Sequence, residues 1–365
     1  MKMKMKRRAL SFILCIVFAL TISGCTQNSG QTVSTPSLWE TTSAVSAPPP
    51  ESTAAIQTLE TTVETTIPAY EQAVDFKWKP YVMTEIYTDL YGDTFTADFR
   101  SMVSAFLAYE STFPCSSAEE ADAINTASAS CFPLLRMDVA GVTYDTVQQK
   151  GVLDYIWPEA DHMAGIKGFE DSVTEFITSC VMESDNDMTR ALAMYMAYSR
   201  RITYDYSALD NELSVDLSSY RGLTGYTGIC QTFGPAYAYL CLQLGIDAVT
   251  AGGLSTDNQA HEWTLVKLDG SYYYMDTTWE NGDGAYGLKY FGMTAAERES
   301  AGNYTIGLIN IGDSNEIWGD DIEAANERFY PLRSVAYAEM NRQMNRIDCT
   351  DINGMKWSFS LDDTK

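Results

Sequence analysis

Between residues 96 and 111 the apolar side chains Phe99, Val103, Phe106 and Leu107 recur at intervals of one, three and four, which predicts an amphipathic helix. Comparable spacing predicts helices over 169–181 and 188–198. Residues 134–156 carry short alternating runs of β-branched and aromatic residues, compatible with either strand or loop. The region 76–200 therefore reads as mainly helical. After it, 201–207 is a short β-prone run, and a polar stretch leads to Gly228. Phe233, Tyr237, Leu240 and Leu244 then fall at i, i+4, i+7 and i+11, one stripe of a helix that Gly245 ends. Cys230 stands at or just before the start of that helix. Proline is tolerated in a first turn but not in a helix interior, so Pro235 predicts a helix that begins a few residues after Cys230 or bends there.

Residues 260–280 hold two strand-like runs around Asp269-Gly270, the signature of a two-residue hairpin loop. With that loop Leu268 opposes Ser271, Trp263 opposes Asp276, and His261 opposes Thr278. His261 and Asp276 then share one face as diagonal neighbours, with backbones about 7–8 Å apart. An imidazole and a carboxylate can bridge that gap. A three-residue turn would reverse the parity and separate them. No period indicative of internal repeats is visible along the chain.

The first residues follow a different pattern. Five cationic residues without an acid (MKMKMKRR) precede an apolar run over 9–22, the layout of an export leader, and the run is too short to span a bilayer comfortably. Ile22-Ser23-Gly24-Cys25 follows directly and resembles the lipobox of bacterial lipoproteins. That resemblance implies a signal peptide over 1–24, lipidation of Cys25, and anchoring to the outer face of the cytoplasmic membrane by the lipid alone. From 25 to about 70 the chain is rich in Thr, Ser and Pro, including Pro48-Pro49-Pro50, and has no Lys or Arg before Lys77. Such a composition buries no core and reads as a disordered tether with an r.m.s. span of roughly 40 Å. Trp39 is its one large aromatic.

Composition narrows the chemistry. The 365 residues and 45% hydrophobic content are those of a globular chain. Lys and Arg number 24 against 49 Asp and Glu, giving a net charge of −25, the wrong sign for a nucleic-acid partner. Loss of the leader removes five basic residues and no acid, which leaves −30. No phosphate loop, dinucleotide fingerprint or metal-ligand spacing occurs, so neither cofactor nor metal is expected. Of two histidines, His162 reads as an exposed loop residue, which leaves His261 as the candidate base.

Cys230 at a helix start, with His261 and Asp276 on one hairpin face, are the parts of a thiol nucleophile, its general base and acid, and the carboxylate that orients the base. Helix-start N–H groups favour a thiolate. The blocks ITYDYSA (202–208), TGICQTFGPAYAYLCLQLGI (227–246), HEW (261–263) and KLDGSYYYMDTTWE (267–280) resemble, in order, the motifs of bacterial transglutaminase-like domains of the papain-like cysteine-enzyme group. The likeness covers about 201–284. It implies an α+β fold with the nucleophile helix packed on an antiparallel sheet, Cys230, His261 and Asp276 as the catalytic set, and peptide or protein amides as substrates. The chain departs from the family with Gln231 after the nucleophile, Gly234-Pro235 in the helix and Thr264 after the histidine block. The expected organisation is a helical region 76–200, a catalytic core 201–295 and an extension 296–365 packed on the core. A non-catalytic peptide- or wall-binding module of the same fold is the competing reading.

Around the site, Tyr204, Tyr226 and Gln231 are candidates for polar support, and Trp263 and Trp279 for lining a groove or filling the core. Cys115 and Cys131 are the expected disulfide, with Cys241 in the core.

Overall fold

The structure, a computed structural model, describes residues 67–209, 216–254, 259–302 and 324–362, all within the unit 64–365. The leader, Cys25, Trp39 and most of the tether lie outside the described residues. Along the chain come α1 (Glu85–Tyr91), α2 (Asp93–Leu107), β1 (Thr112–Pro114), α3 (Ala118–Cys131), β2 (Val139–Asp145), β3 (Lys150–Tyr155), α4 (Glu159–Cys180) and α5 (Asp187–Arg201). They continue with β4 (Thr203–Tyr204), α6 (Tyr206–Leu209), α7 (Ser219–Thr224), β5 (Thr227–Gly228), α8 (Cys230–Gln243), β6 (Ala248–Leu254), β7 (Ala260–Leu268) and β8 (Ser271–Met275). Last are α9 (Thr277–Gly282), α10 (Ala295–Gly302), β9 (Val335–Asn341), β10 (Arg346–Asp351) and β11 (Lys356–Ser360). The class is α+β. No helix among the described residues is long and apolar enough to cross a membrane.

Capping explains several starts: Thr84, Ser117 and Asn186 each accept an N–H from the first turn of α1, α3 and α5. The three helices expected from periodicity are present as α2, α4 and α5, with α4 starting ten residues earlier than its apolar pattern. The region before α5 is not helical throughout, because β1, β3 and β2 form an antiparallel sheet in that order.

The core is organised on α8, whose residues 232–243 are all buried. The apolar stripe expected on one face therefore understates it. α3, α5 and α7 pack around this helix, and the antiparallel sheet β6-β7-β8 supports it. α8 begins at Cys230, despite Pro235 in its interior. The preceding segment wraps the far end of α8. Gln243 exchanges both amide bonds with the backbone of Lys79 (2.9 and 2.8 Å), and the Trp78 indole donates to the Tyr239 hydroxyl at 2.6 Å.

The β7–β8 ladder runs from Leu268↔Ser271 to Thr264↔Met275, the register that a two-residue loop demands. Asp269 and Gly270 take φ values of 50° and 79° to make that turn. Beyond Met275 the strand ends: the Asp276 N–H turns to the Tyr290 carbonyl, and α9 follows.

Two expectations fail in this scaffold. Cys115 and Cys131 are free thiols, as are the other described cysteines. They stand at opposite ends of α3, about 20 Å apart by helix rise, far beyond disulfide reach. His162 is fully buried in the first turn of α4 instead of exposed. Its Nδ1 pairs with Asp138 and its Nε2 with the Phe106 carbonyl, both at 2.8 Å, among the rings of Phe106, Tyr109 and Tyr155.

Helix α8 comes close to strand β7 at Gly234. A Cβ there would lie 3.1 Å from the Trp263 carbonyl oxygen and 3.4 Å from its Cα, while the Thr264 hydroxyl donates to the Gly234 carbonyl at 2.9 Å. On an unconstrained helix Gly→Ala is worth up to about 1 kcal/mol of stabilisation. Here both neighbours are backbone, so Gly234→Ala is expected to destabilise by about 2 kcal/mol. Urea denaturation decides the sign, and a gain in stability would show that the approach is slack.

Candidate active site

The hairpin and the start of α8 meet at one place. Cys230 is partly open to solvent on the first turn of α8, with the backbone N–H groups of Glu262 and Gln231 close enough to favour its thiolate. Glu262 adjoins His261 on β7, so Cys230 lies against the strand that carries His261. The N-cap is Ile229, an apolar residue with no side-chain acceptor for the first-turn N–H groups.

His261 and Asp276 are joined as expected: Nε2 to Oδ2 at 2.8 Å, with both side chains buried. The other carboxylate oxygen of Asp276 accepts the Trp279 N–H at 2.9 Å, which also starts α9. Burial alone would raise the Asp276 carboxyl. His261, Arg298 and the Trp279 N–H together overcome it and hold the group below the ordinary aspartate value. His261 stacks on Trp279 with ring centres 5.1 Å apart and planes at 14°.

The thiol departs from expectation. Its place at a helix start favours the thiolate, yet burial, then the Glu262 carboxylate, push Cys230 up to about 12, with Asp276 adding to the effect. The two N–H contacts oppose this without reversing it. Desolvation and two neighbouring acids outweigh the helix terminus. At rest the group is a thiol.

Four residues at the site carry no sequence-level signal. Arg298, fully buried on α10, reaches Asp276 Oδ2 with its guanidinium at 3.2 Å and lies 4.0 and 3.9 Å over the rings of Trp263 and Trp279. It falls just beyond the expected core boundary at 295. Glu280 is buried one helical turn from Asp276 and accepts from the Tyr195 hydroxyl and the Tyr290 N–H, both at 3.0 Å. Tyr195 also reaches the Asp276 carbonyl at 3.1 Å. Glu262 was visible only as a member of the histidine block.

The other candidates disperse. Trp263 is core, 1% exposed, while Trp279 is half-buried beside His261. Tyr204 packs on Tyr206 and Phe233, and Tyr226 lies under the Arg201 guanidinium. Gln231 is exposed and contributes its N–H to Cys230. Cys241 is in the core. Among the described residues no group of three or more His, Cys, Asp or Glu side chains converges as a metal site would.

Comparison with known proteins adds partial likenesses. No family profile and no curated protein matches the chain. Among solved structures it is similar to one named as a TGase, at 17% identity and a TM-score of 0.27, covering 34% of each chain. It is also similar to a candidate cysteine protease from Cytophaga hutchinsonii, at 19% identity and a TM-score of 0.24, covering 31% of this chain and 37% of that one. The chain thus spans little more than a third of the length of either.

Glu280 supplies a pH test. Burial pushes its carboxyl up to about 7, against the Tyr290 N–H and the Tyr195 hydroxyl, from an ordinary value of 4.5. A carboxyl that holds its proton more tightly when folded contributes stability that is full below about pH 4.5 and lost as pH rises to about 7, roughly 3 kcal/mol over that window. Glu280→Gln keeps an accepting oxygen without the titration. Relative to the parent, its stability in urea is expected to rise by about 3 kcal/mol between pH 4.5 and 8. An unchanged difference would show that Glu280 is ionised in the fold at low pH.

Proposed function

We propose that this chain is a transglutaminase-like thiol enzyme that transfers or hydrolyses acyl groups of peptide or protein amides through a thioester on Cys230. The observation that carries the reading is His261 bound to Asp276 at 2.8 Å on the hairpin against which packs the helix that starts at Cys230. In this reading Asp276 takes His261 Nε2 and fixes the tautomer, so Nδ1 is the atom that accepts the thiol proton.

Because the resting sulfur is protonated, attack is assisted by general base catalysis rather than by a standing thiolate. As the Cys230 sulfur bonds to the substrate carbonyl carbon, its proton passes to His261. The carbonyl oxygen becomes an oxyanion, and the Gln231 N–H is a backbone donor at hand to receive it. Collapse expels the amine, which takes the proton from His261. Water or a second amine then attacks the thioester, with His261 as base again, and Cys230 leaves. The acceptor decides between hydrolysis, deamidation and transamidation. The net charge of the chain gives a cationic amine a mild electrostatic advantage.

The leader and the Ser-Gly-Cys sequence support export and anchoring by lipid at Cys25, with the Thr/Ser/Pro segment holding the core away from the bilayer. A second reading, a non-catalytic binding module, draws on one specific observation, the thiol pushed up to about 12. An inert Cys230 fits such a module.

Iodoacetamide labelling of residues 26–365 at pH 7.5, with the modified peptide identified by mass spectrometry, separates the two. Base assistance predicts that His261→Ala slows labelling of Cys230 by at least about tenfold. Equally slow labelling in both proteins would abandon the enzyme in favour of the binding module.

A further inference from the structure

A carboxylate as deeply buried as Asp276 requires a positive charge beside it. With His261 as the sole source, that demand would favour the protonated imidazole, which accepts no proton from Cys230. Arg298 removes that conflict. Its guanidinium stands 3.2 Å from Asp276 Oδ2, the oxygen that also binds His261 Nε2, and neither the guanidinium nor the carboxylate is exposed. Trp263 and Trp279 hold the guanidinium plane at 4.0 and 3.9 Å, so its position is set by stacking as well as by charge.

We propose that Arg298 is a positioning residue of the catalytic set, whose charge satisfies Asp276 and thereby leaves His261 neutral and able to act as a base. This rests on the acyl-transfer reading for its purpose, but the proton placement it asserts can be measured without any reaction.

The charged and titratable groups around the pair are few. Cys230 and Glu262 approach from α8 and β7, Glu280 and Tyr195 from α9 and α5, and Tyr274 from β8, where it feels Arg298 and Glu299. The Glu280 carboxyl is pushed up to about 7, so the comparison is made at pH 8, above that value.

With two histidines in the chain, 15N-histidine labelling of the full-length protein gives a readable spectrum. His261→Ala assigns its signals, and His162, locked between Asp138 and the Phe106 carbonyl, reports whether the fold is intact. The parent is expected to show His261 protonated on Nε2 alone. Arg298→Gln is expected to lose the unprotonated Nδ1 signal and show both nitrogens protonated, with His162 unmoved. Arg298→Lys, which keeps the charge, is expected to match the parent.

A neutral His261 in Arg298→Gln with His162 signals intact would overturn the proposal. So would a doubly protonated His261 in the parent or in Arg298→Lys. If the Gln variant loses its His162 signals, the Lys variant decides alone. Failure of the acyl-transfer reading would appear elsewhere, as Cys230 labelling indifferent to His261, and would leave these spectra unchanged.

Discussion

The contact on which the site depends is the backbone approach of α8 to β7 at Gly234. A side chain of any size there would push the helix from the strand, because the atoms 3.1 to 3.4 Å from the missing Cβ belong to the Trp263 main chain and cannot rotate away. The Thr264 hydroxyl closes the same gap from the strand side. Cys230 is one turn earlier on the helix and His261 two residues earlier on the strand. Seating Gly234 on Trp263 therefore brings the thiol to the Glu262 N–H. The tight hairpin turn sets the register as far as Met275, next to Asp276. The geometry of the candidate site follows from one close helix–strand crossing and one turn, both made of backbone.

Around that geometry two carboxylates a helical turn apart are driven in opposite directions. Asp276 has His261, Arg298 and a helix N–H, and is held below its ordinary value. Glu280, equally buried, has only a hydroxyl and one N–H, and titrates near 7. Tyr195 touches both, through the Asp276 carbonyl and the Glu280 carboxyl. Cations stabilise charge in a desolvated site far better than neutral donors do. The difference separates their behaviour: Asp276 favours its charged form against His261 and Arg298, and Glu280 is an acceptor whose charge is optional.

Much of this was legible in the sequence, for reasons that show where reading stops. Asp269-Gly270 fixes the loop length and the register as far as Thr264 and Met275; the expected pairing of Trp263 with Asp276 and of His261 with Thr278 does not form, because the chain turns into α9, and Asp276 reaches His261 from the start of that helix. The start of α8 was less secure, since proline alone argued for a later beginning; burial on every side of the helix overrode that preference. Arg298 was invisible because it reaches the site from another helix, 22 positions beyond Asp276 in the sequence, with no spacing rule to connect them. His162 failed for the opposite reason. Its neighbours in sequence are polar, but its partners Asp138 and Phe106 come from other elements. The expected Cys115–Cys131 bridge ignored the helix between them, whose rise alone keeps the sulfurs apart.

A thiol pushed up to about 12 looks at first like a handicap for a nucleophile, yet it would suit a sulfur exported as proposed. Oxidation, like alkylation, proceeds through the thiolate, so a standing thiolate–imidazolium pair would be consumed by oxidants between turnovers. In the proposed reaction, desolvation and Glu262 would keep the proton on sulfur until a carbonyl carbon is in place to receive its electrons. That reaction would need a base that is neutral and waiting, a state favoured when Asp276 draws part of its countercharge from a group other than His261. Arg298 is the buried cation at that carboxylate. The protection of the thiol and the second cation at the acid are, on this argument, two consequences of the same requirement.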